Sequence, residues 1–312
     1  MLDEARPSLG AAEATPNWSG VAGKRVVITG ATAGIGLAAA EELAHRGALL
    51  SIVARSQTRA AVAVARIQAA ANPAPEVDVL HADLSSQAAI RQLATEILAR
   101  YPQVDVLINN AGAVNSARRL TEDGFELTWA VNHLAPFLLT TLLLERLRAS
   151  APARIVTTGS AAHRGALIPF DDINAARGYG SFGFARYGQT KLANILFTAE
   201  LSRRLQGSQV TANCFHPGFV ASGFNRNNGG LMGLAMTLAR PFARTPERGA
   251  DTLVWLVDSP QVSAQSGGYF SGRRRVQPAG PARDGGAARR LWDLSEEQVG
   301  MGSSGDPSAS LD

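Results

Sequence analysis

A single cysteine, Cys214, stands in a chain of 312 residues, so no disulfide can close within it, and its place in the apolar run Val210–Phe215 points to a buried strand thiol rather than a nucleophile. A reducing, cytoplasmic setting is the expectation that follows. Lysine is nearly as scarce: only Lys24 and Lys191 occur among 30 basic residues, and the other 28 are arginines. These are scattered among 26 acidic residues, Arg273-Arg274-Arg275 being the one run, and no aromatic stripe accompanies them. The net charge of +4 therefore reads as a solvated surface and not as a nucleic-acid footprint. Long apolar runs are missing too. The stretch Phe137–Leu144 is broken by threonines and falls far short of the roughly 20 residues a bilayer requires, so no membrane span is expected. The first twenty residues carry early acids and no apolar run, and they match neither a secretory leader nor a transit peptide. His163 and His216 lack a carboxylate or thiol at ligand spacing, which leaves them structural roles and predicts no metal site.

What is present is a full core's worth of apolar residues, 46% against 18% charged, in a length that suits one large domain. From about Arg25 to Pro217 the chain repeats one beat: a short β-branched run, a turn, then a longer Ala- or Leu-rich amphipathic stretch. The runs predict strands at Arg25–Thr29, Leu49–Ala54, Val77–His81, Val104–Asn109, Arg154–Thr158 and Val210–His216. Helices are predicted at Gly34–Arg46, Thr58–Ala71, Ser85–Arg100, Thr121–Ala149 and Gly183–Leu205. The fold class that follows is α/β: a single-domain Rossmann fold, a doubly wound parallel sheet with helices on both faces. By this reading residues 1–20 form a flexible N-terminal extension, 21–272 the α/β domain and 273–312 a C-terminal tail, with compositional disorder expected at 1–15 and 300–312. The Gly-, Asn- and Met-rich stretch 221–246 follows the last strand and is expected to be a substrate lid, with Phe219, Phe224 and Met232 as candidate lining.

The first strand runs straight into Gly30, Ala31, Thr32, Ala33, Gly34, Ile35 and Gly36 and then into a helix. Side-chain-free backbone and the positive end of a helix suit a pyrophosphate, so this turn is the candidate dinucleotide site. The second strand ends in Arg55-Ser56, where a carboxylate would bond the ribose 2′-hydroxyl of NAD(H). A guanidinium suits a 2′-phosphate, which favours NADP(H) over NAD(H), with Ser56 and Arg59 as helpers. At the other end of the chain, Tyr187 and Lys191 lie four apart in a helical pattern and share a face. A lysine in so arginine-rich a sequence is informative: its compact ammonium can approach a phenol and is expected to lower the phenol's pKa from about 10.

The motifs Thr29-Gly-Ala-Thr-Ala-Gly-Ile-Gly36, Asp83-Leu84, Asn109-Asn-Ala-Gly112, Asn132-His-Leu, Ser160, Tyr187-Gly-Gln-Thr-Lys191 and His216-Pro-Gly218 appear in order along residues 20–272. In this the chain resembles the short-chain dehydrogenase/reductase family. Asp123-Gly-Phe-Glu126, Ser160-Ala-Ala-His163 and Lys191-Leu-Ala-Asn-Ile-Leu-Phe197 resemble its retinol-dehydrogenase-like branch. The resemblance implies that Tyr187 is the general acid in carbonyl reduction and the base in alcohol oxidation, tuned by Lys191, which also binds the nicotinamide ribose. It implies that Ser160 hydrogen-bonds the reacting oxygen and that Asn132 helps hold a water joining the lysine to solvent. Asp83 and Leu84 would meet the adenine, and Asn109, Ala111 and Gly112 would wall the adenosine ribose. Pro217, Gly218 and Val220, with Ser222, would form the carboxamide-binding turn. The implied substrate is a carbonyl or alcohol on a lipophilic small molecule.

The chain also departs from that pattern. Gly159 replaces the first of the usual paired serines, which is expected to loosen the placement of Ser160, and Ala135-Pro136 stands where relatives have Gly-His, predicting a kink. Relatives commonly pair through the two long helices beside the site, so a homodimer is left open, as the Gly165–Phe182 insertion lies close by. Two rival functions stand beside the oxidoreductase: a non-catalytic NADP-binding regulator or scaffold, and an isomerase or dehydratase that recycles its nicotinamide.

Overall fold

The structure, a computed structural model, describes residues 18–220 and 243–301. Six strands run parallel: β1 (Arg25–Thr29), β2 (Leu49–Ala54), β3 (Val77–His81), β4 (Val106–Asn109), β5 (Ala153–Thr158) and β6 (Val210–Phe215). A short β7 (Tyr269–Ser271) extends the sheet in parallel, and β8 (Arg274–Arg275) closes it antiparallel, giving the order β3-β2-β1-β4-β5-β6-β7-β8. Alternation along the strands explains why both faces are covered. In β1, Val27 faces one core layer while Val26 and Ile28 face the other, and Leu107 of β4 divides from Val106 and Ile108 in the same way. The first layer is closed by α3 (Gln87–Arg100), α5 (Ala135–Ala149) and α6 (Phe184–Arg204), the second by α1 (Gly34–His45), α2 (Gln57–Ala69) and α7 (Pro246–Asp258). This is the doubly wound parallel sheet with flanking helices. The strand order reverses beside β1, so the C-terminal ends of β1 and β4 splay into a crevice where ligands bind in such sheets.

The helix expected over Thr121–Ala149 begins later and is interrupted. Glu126 caps a short turn, α4 (Leu127–Trp129), a π turn follows over Ala130–Leu134, and α5 begins at Ala135. Pro136 follows the π turn directly, in a helix that continues through Leu134 into α5, and having no N–H it cannot bond back to the preceding turn; the expected proline irregularity takes the form of that π turn. The run Leu127–Ala149 is long and apolar enough to cross a membrane by length and composition, and its most apolar 18-residue stretch is 72% buried inside the fold.

The expectation of a tail after residue 272 did not foresee β8 or α8 (Gly285–Gln298), which packs on α6. Asp284 caps α8 by accepting from the amides of Gly286 and Ala287, and Ala288, Leu291, Trp292 and Ser295 form its buried stripe. At the other end Trp18 is already in the core, its indole donating to the carbonyl of Asp258. Most of the stretch expected to be a lid, including Ser222, Phe224 and Met232, lies outside the described residues, as do residues 1–17 and 302–312.

Candidate active site

The turn after β1 is closed by contacts that leave no room for side chains. A Cβ on Gly36 would lie 2.2 Å from the Gly30 carbonyl oxygen and 2.4 Å from Asn110 Nδ2, and one on Gly30 would lie 2.8 Å from Ala111 Cα. Asn110, which the sequence reading passed over, staples the crevice: its amide donates to the carbonyls of Thr29 and Gly30 at 3.2 Å. Thr29 Oγ1 returns the tie by accepting from the amides of Asn110 and Ala111. The helix that follows has Ala33 at its N-cap and no side-chain cap, whereas Ser56 caps α2 and Ser86 caps α3. The first amides of α1 are thus left for another acceptor, and Thr32, Ala33, Gly34 and Ile35 stay at least partly exposed. Bare glycine backbone and uncapped amides fit a dinucleotide pyrophosphate.

Arg55 and Asp83, assigned separate contacts from sequence, meet across the ends of β2 and β3, with Nη1 3.5 Å from Oδ2. Burial pushes the Asp83 carboxyl up, but the Ser85 amide and hydroxyl and the Arg55 charge outweigh it and hold the group below its usual range. Arg55 is 70% exposed, so the pair is a weak one that an incoming anion can displace. Ser56 is committed to capping α2 through the Arg59 amide. Leu84 is half-buried against the first core layer, and Asn109 is buried, its amide donating to Thr140 Oγ1 at 2.9 Å.

The proton-transfer groups converge at the ends of β4 and β5. Lys191 is 2% exposed, and its Nζ donates to the Thr158 carbonyl at 2.8 Å while lying 5.5 Å from the centre of the Tyr187 ring. A Cβ on Gly112 would stand 3.6 Å from that Nζ, so the glycine keeps the approach to the ammonium clear. The expectation that Lys191 lowers the phenol's pKa is not met. Burial pushes Tyr187 up to about 12, with a hydrogen bond from Ser160 pulling the other way, and burial brings Lys191 down to about 8. Desolvation is the larger effect on the phenol, and the hydrogen bond of the ammonium goes to Thr158. Tyr187 and Ser160 can meet because Gly188 lets α6 close on the turn after β5: a Cβ there would lie 2.6 Å from the Ala162 carbonyl oxygen. The small residue after the tyrosine was the available signal for this contact.

Ser160 is fixed from several sides. Its Oγ accepts from the Ala162 amide at 3.1 Å, and its carbonyl lies 2.7 Å from His163 Nδ1. His163 Nε2 accepts from the Ala279 amide at 3.0 Å, so the ring is neutral with its proton on Nδ1, in keeping with a pKa lowered by burial. Gly159 does not loosen this arrangement. A Cβ there would lie 2.8 Å from Cys214 Sγ and 3.1 Å from the Phe215 carbonyl oxygen, so close packing requires the glycine. Burial pushes the Cys214 thiol up to about 12, away from nucleophilic behaviour.

Asn132 occupies the π turn and is fully buried. Its Oδ1 accepts from the Ala113 amide at 2.7 Å, and its Nδ2 donates to the Ala113 carbonyl and to Thr190 Oγ1. The side chain ties the loop after β4 to α6 and spends both amide hydrogens in doing so. Beyond β6, His216 Nδ1 accepts from the Gly218 amide, which fixes the turn through Pro217, and Val220 bridges to Arg244.

The description of a short chain dehydrogenase family matches residues 24–230. Retinol dehydrogenase 13 of Homo sapiens is 42% identical over 294 residues, covering 92% of this chain and 88% of that protein. The chain belongs to the short-chain dehydrogenase family. Within it the sequence is retinol-dehydrogenase-like, and the protein is an oxidoreductase acting on CH–OH or C=O groups. A Streptomyces sp. (strain C5) protein named for daunorubicin C-13 ketoreduction, DnrU, is 41% identical over 288 residues, 92% of this chain and 96% of the other. Among solved structures, a short chain dehydrogenase from Burkholderia cenocepacia J2315 in complex with NADP superposes with a TM-score of 0.64 at 26% identity, covering 80% of this chain and 96% of that one. A nicotinamide cofactor is the one this family's fold is built to hold.

Proposed function

We propose that the chain transfers a hydride between NADP(H) and the carbonyl or alcohol carbon of a lipophilic small molecule. The observation that carries this reading is the convergence of Tyr187, Ser160 and Lys191 beside a glycine turn with uncapped amides. The bound nicotinamide supplies the hydride in reduction and takes it in oxidation. In the reducing direction Tyr187, kept protonated by its burial, gives its proton to the substrate oxygen. Ser160, held from behind by the Ala162 amide, donates its hydroxyl hydrogen to the same oxygen. Lys191 commits one N–H to Thr158, which leaves two to hold the nicotinamide ribose and a positive charge to favour the phenolate left behind. Arg55 supports NADP(H) over NAD(H), because a 2′-phosphate offers the guanidinium more than its exposed partner Asp83 does.

The lipophilic substrate class is supported by the retinol dehydrogenase and ketoreductase names of the relatives. The test is NADPH absorbance against a panel of aldehydes, ketones, steroids and quinones. Tyr187→Phe is expected to cut turnover at least about 100-fold and to leave the NADPH Kd within about twofold. Tight NADPH binding with no consumption across the panel would sink the proposal and leave a cofactor-binding regulator.

A further inference from the structure

We infer that the buried ion pair Glu126–Arg186 is a positioning device that holds Tyr187 and Asn132 in one fixed relation; the inference rests on the oxidoreductase reading above. Neither residue touches the reacting groups. Arg186 Nε donates to Glu126 Oε2 at 2.7 Å, and the two side chains are 1% and 0% exposed. A pair this deep gains little stability over apolar residues of the same volume, because desolvating both charges offsets their attraction. Its contribution lies in what it connects.

On one side stands Asn132. The Glu126 carboxylate caps α4, Oε1 accepting from the Thr128 amide at 2.8 Å and Oε2 from the Trp129 amide at 2.9 Å, and the π turn that carries Asn132 follows at once. On the other side stands Tyr187, next in sequence to Arg186 and in the opening turns of α6. That helix end needs an external anchor: Gly183 at its N-cap has φ +74, Phe182 before it has φ 54, and no side chain caps it. Arg186 supplies the anchor. Besides Glu126 it donates to Gln189 Oε1 and the Ile173 carbonyl, and its guanidinium lies 4.8 Å from the centre of the Trp129 ring. Tyr179 completes the lock by donating to Glu126 Oε1 at 3.0 Å. One carboxylate therefore sets the start of the turn bearing Asn132 and, through a single bond, the start of the helix bearing Tyr187.

The experiment compares the full-length protein with Glu126→Met combined with Arg186→Met, and with Arg186→Lys alone. The double variant removes both charges together and leaves neither buried unpaired, but it takes a partner from the Thr128 and Trp129 amides, the Tyr179 hydroxyl and the Ile173 carbonyl, so it is expected to melt below the wild type while still folding. Its kcat on the best carbonyl of the panel is expected to fall at least about tenfold, with the NADPH Kd within about twofold. Arg186→Lys, which keeps the charge but loses the planar fork, is expected to fall between the two. Amide hydrogen exchange gives a readout independent of turnover: exchange at residues 131–134 and 184–190 is expected to quicken about tenfold in the double variant, with the β1–β4 core unchanged. Wild-type kcat and unaltered exchange in the double variant overturn the inference, as does wild-type kcat in Arg186→Lys if the double variant fails to fold. A wild-type protein that turns over nothing in the panel counts against the proposed reaction instead, and the exchange measurement then decides the role of the pair alone.

Discussion

Replacing Lys191 by methionine is expected to stabilise the cofactor-free protein at neutral pH while removing its activity. The ammonium is nearly inaccessible and has one hydrogen bond, to the Thr158 carbonyl. Burial brings its pKa from 10.5 down to about 8. The folded value lies below the unfolded one, so between about pH 8 and 10.5 the unfolded chain holds more protons, and stability rises with pH across that window. Below about pH 8 both states carry the proton and the destabilisation is present in full; above 10.5 it is gone. At 1.36 kcal/mol for each pH unit the burden at pH 7 is about 3 kcal/mol. Methionine fills a similar volume without a charge, so its variant should melt roughly 5 °C or more above the wild type at pH 7, and the gap should narrow as the pH rises toward 10.5. Thermal unfolding of both proteins at pH 7 and pH 10, without cofactor, measures this. A variant less stable than the wild type at pH 7, or a gap that ignores pH, would refute the reasoning, since either result means the ammonium is better solvated than its surroundings indicate.

Two further outcomes are specific enough to check. Gly159→Ser, which restores the serine common in relatives, should destabilise by about 1–3 kcal/mol in a denaturant melt because its Cβ meets Cys214 Sγ and the Phe215 carbonyl, and Cys214→Ala should recover part of the loss; a neutral single variant would count against close packing there. Arg55→Asp should weaken NADPH binding at least about tenfold and shift preference toward NADH, read by fluorescence titration, and an unchanged ratio of the two affinities would remove Arg55 from cofactor selection.

The regular part of the fold was legible because buried parallel strands need uninterrupted β-branched runs: β1, β2 and β3 have the bounds the sequence predicts. β7 and β8 were not, since three and two residues carry no periodicity and are held by their neighbours in the sheet. The π turn was hidden for a different reason. Its residues, Ala130–Leu134, have ordinary helical character, and the ties that hold Asn132 there, to Ala113 and Thr190, come from elements distant in sequence. The convergence of Tyr187, Lys191 and Ser160 was readable from spacing and family resemblance, but the direction of the tyrosine's perturbation was not. That depends on how deeply the phenol is buried, which the fold sets and the local sequence does not show. Glu126 and Arg186 lie 60 residues apart, and only the fold brings their charges together.

The last helix has a consequence beyond the packing it completes. Trp292 of α8 lies 5.0 Å from the ring of Phe137 on α5 and 5.9 Å from that of Phe197 on α6, with the Arg204 guanidinium 4.3 Å from the centre of the indole. The aromatic seam between the two long helices is roofed by the chain's own C-terminal segment. The same segment delivers the Ala279 amide to His163. A chain cut short before Ala279 would bare a sticky strip along its longest helices and slacken the ring behind Ser160, linking self-association and poor turnover through one missing segment.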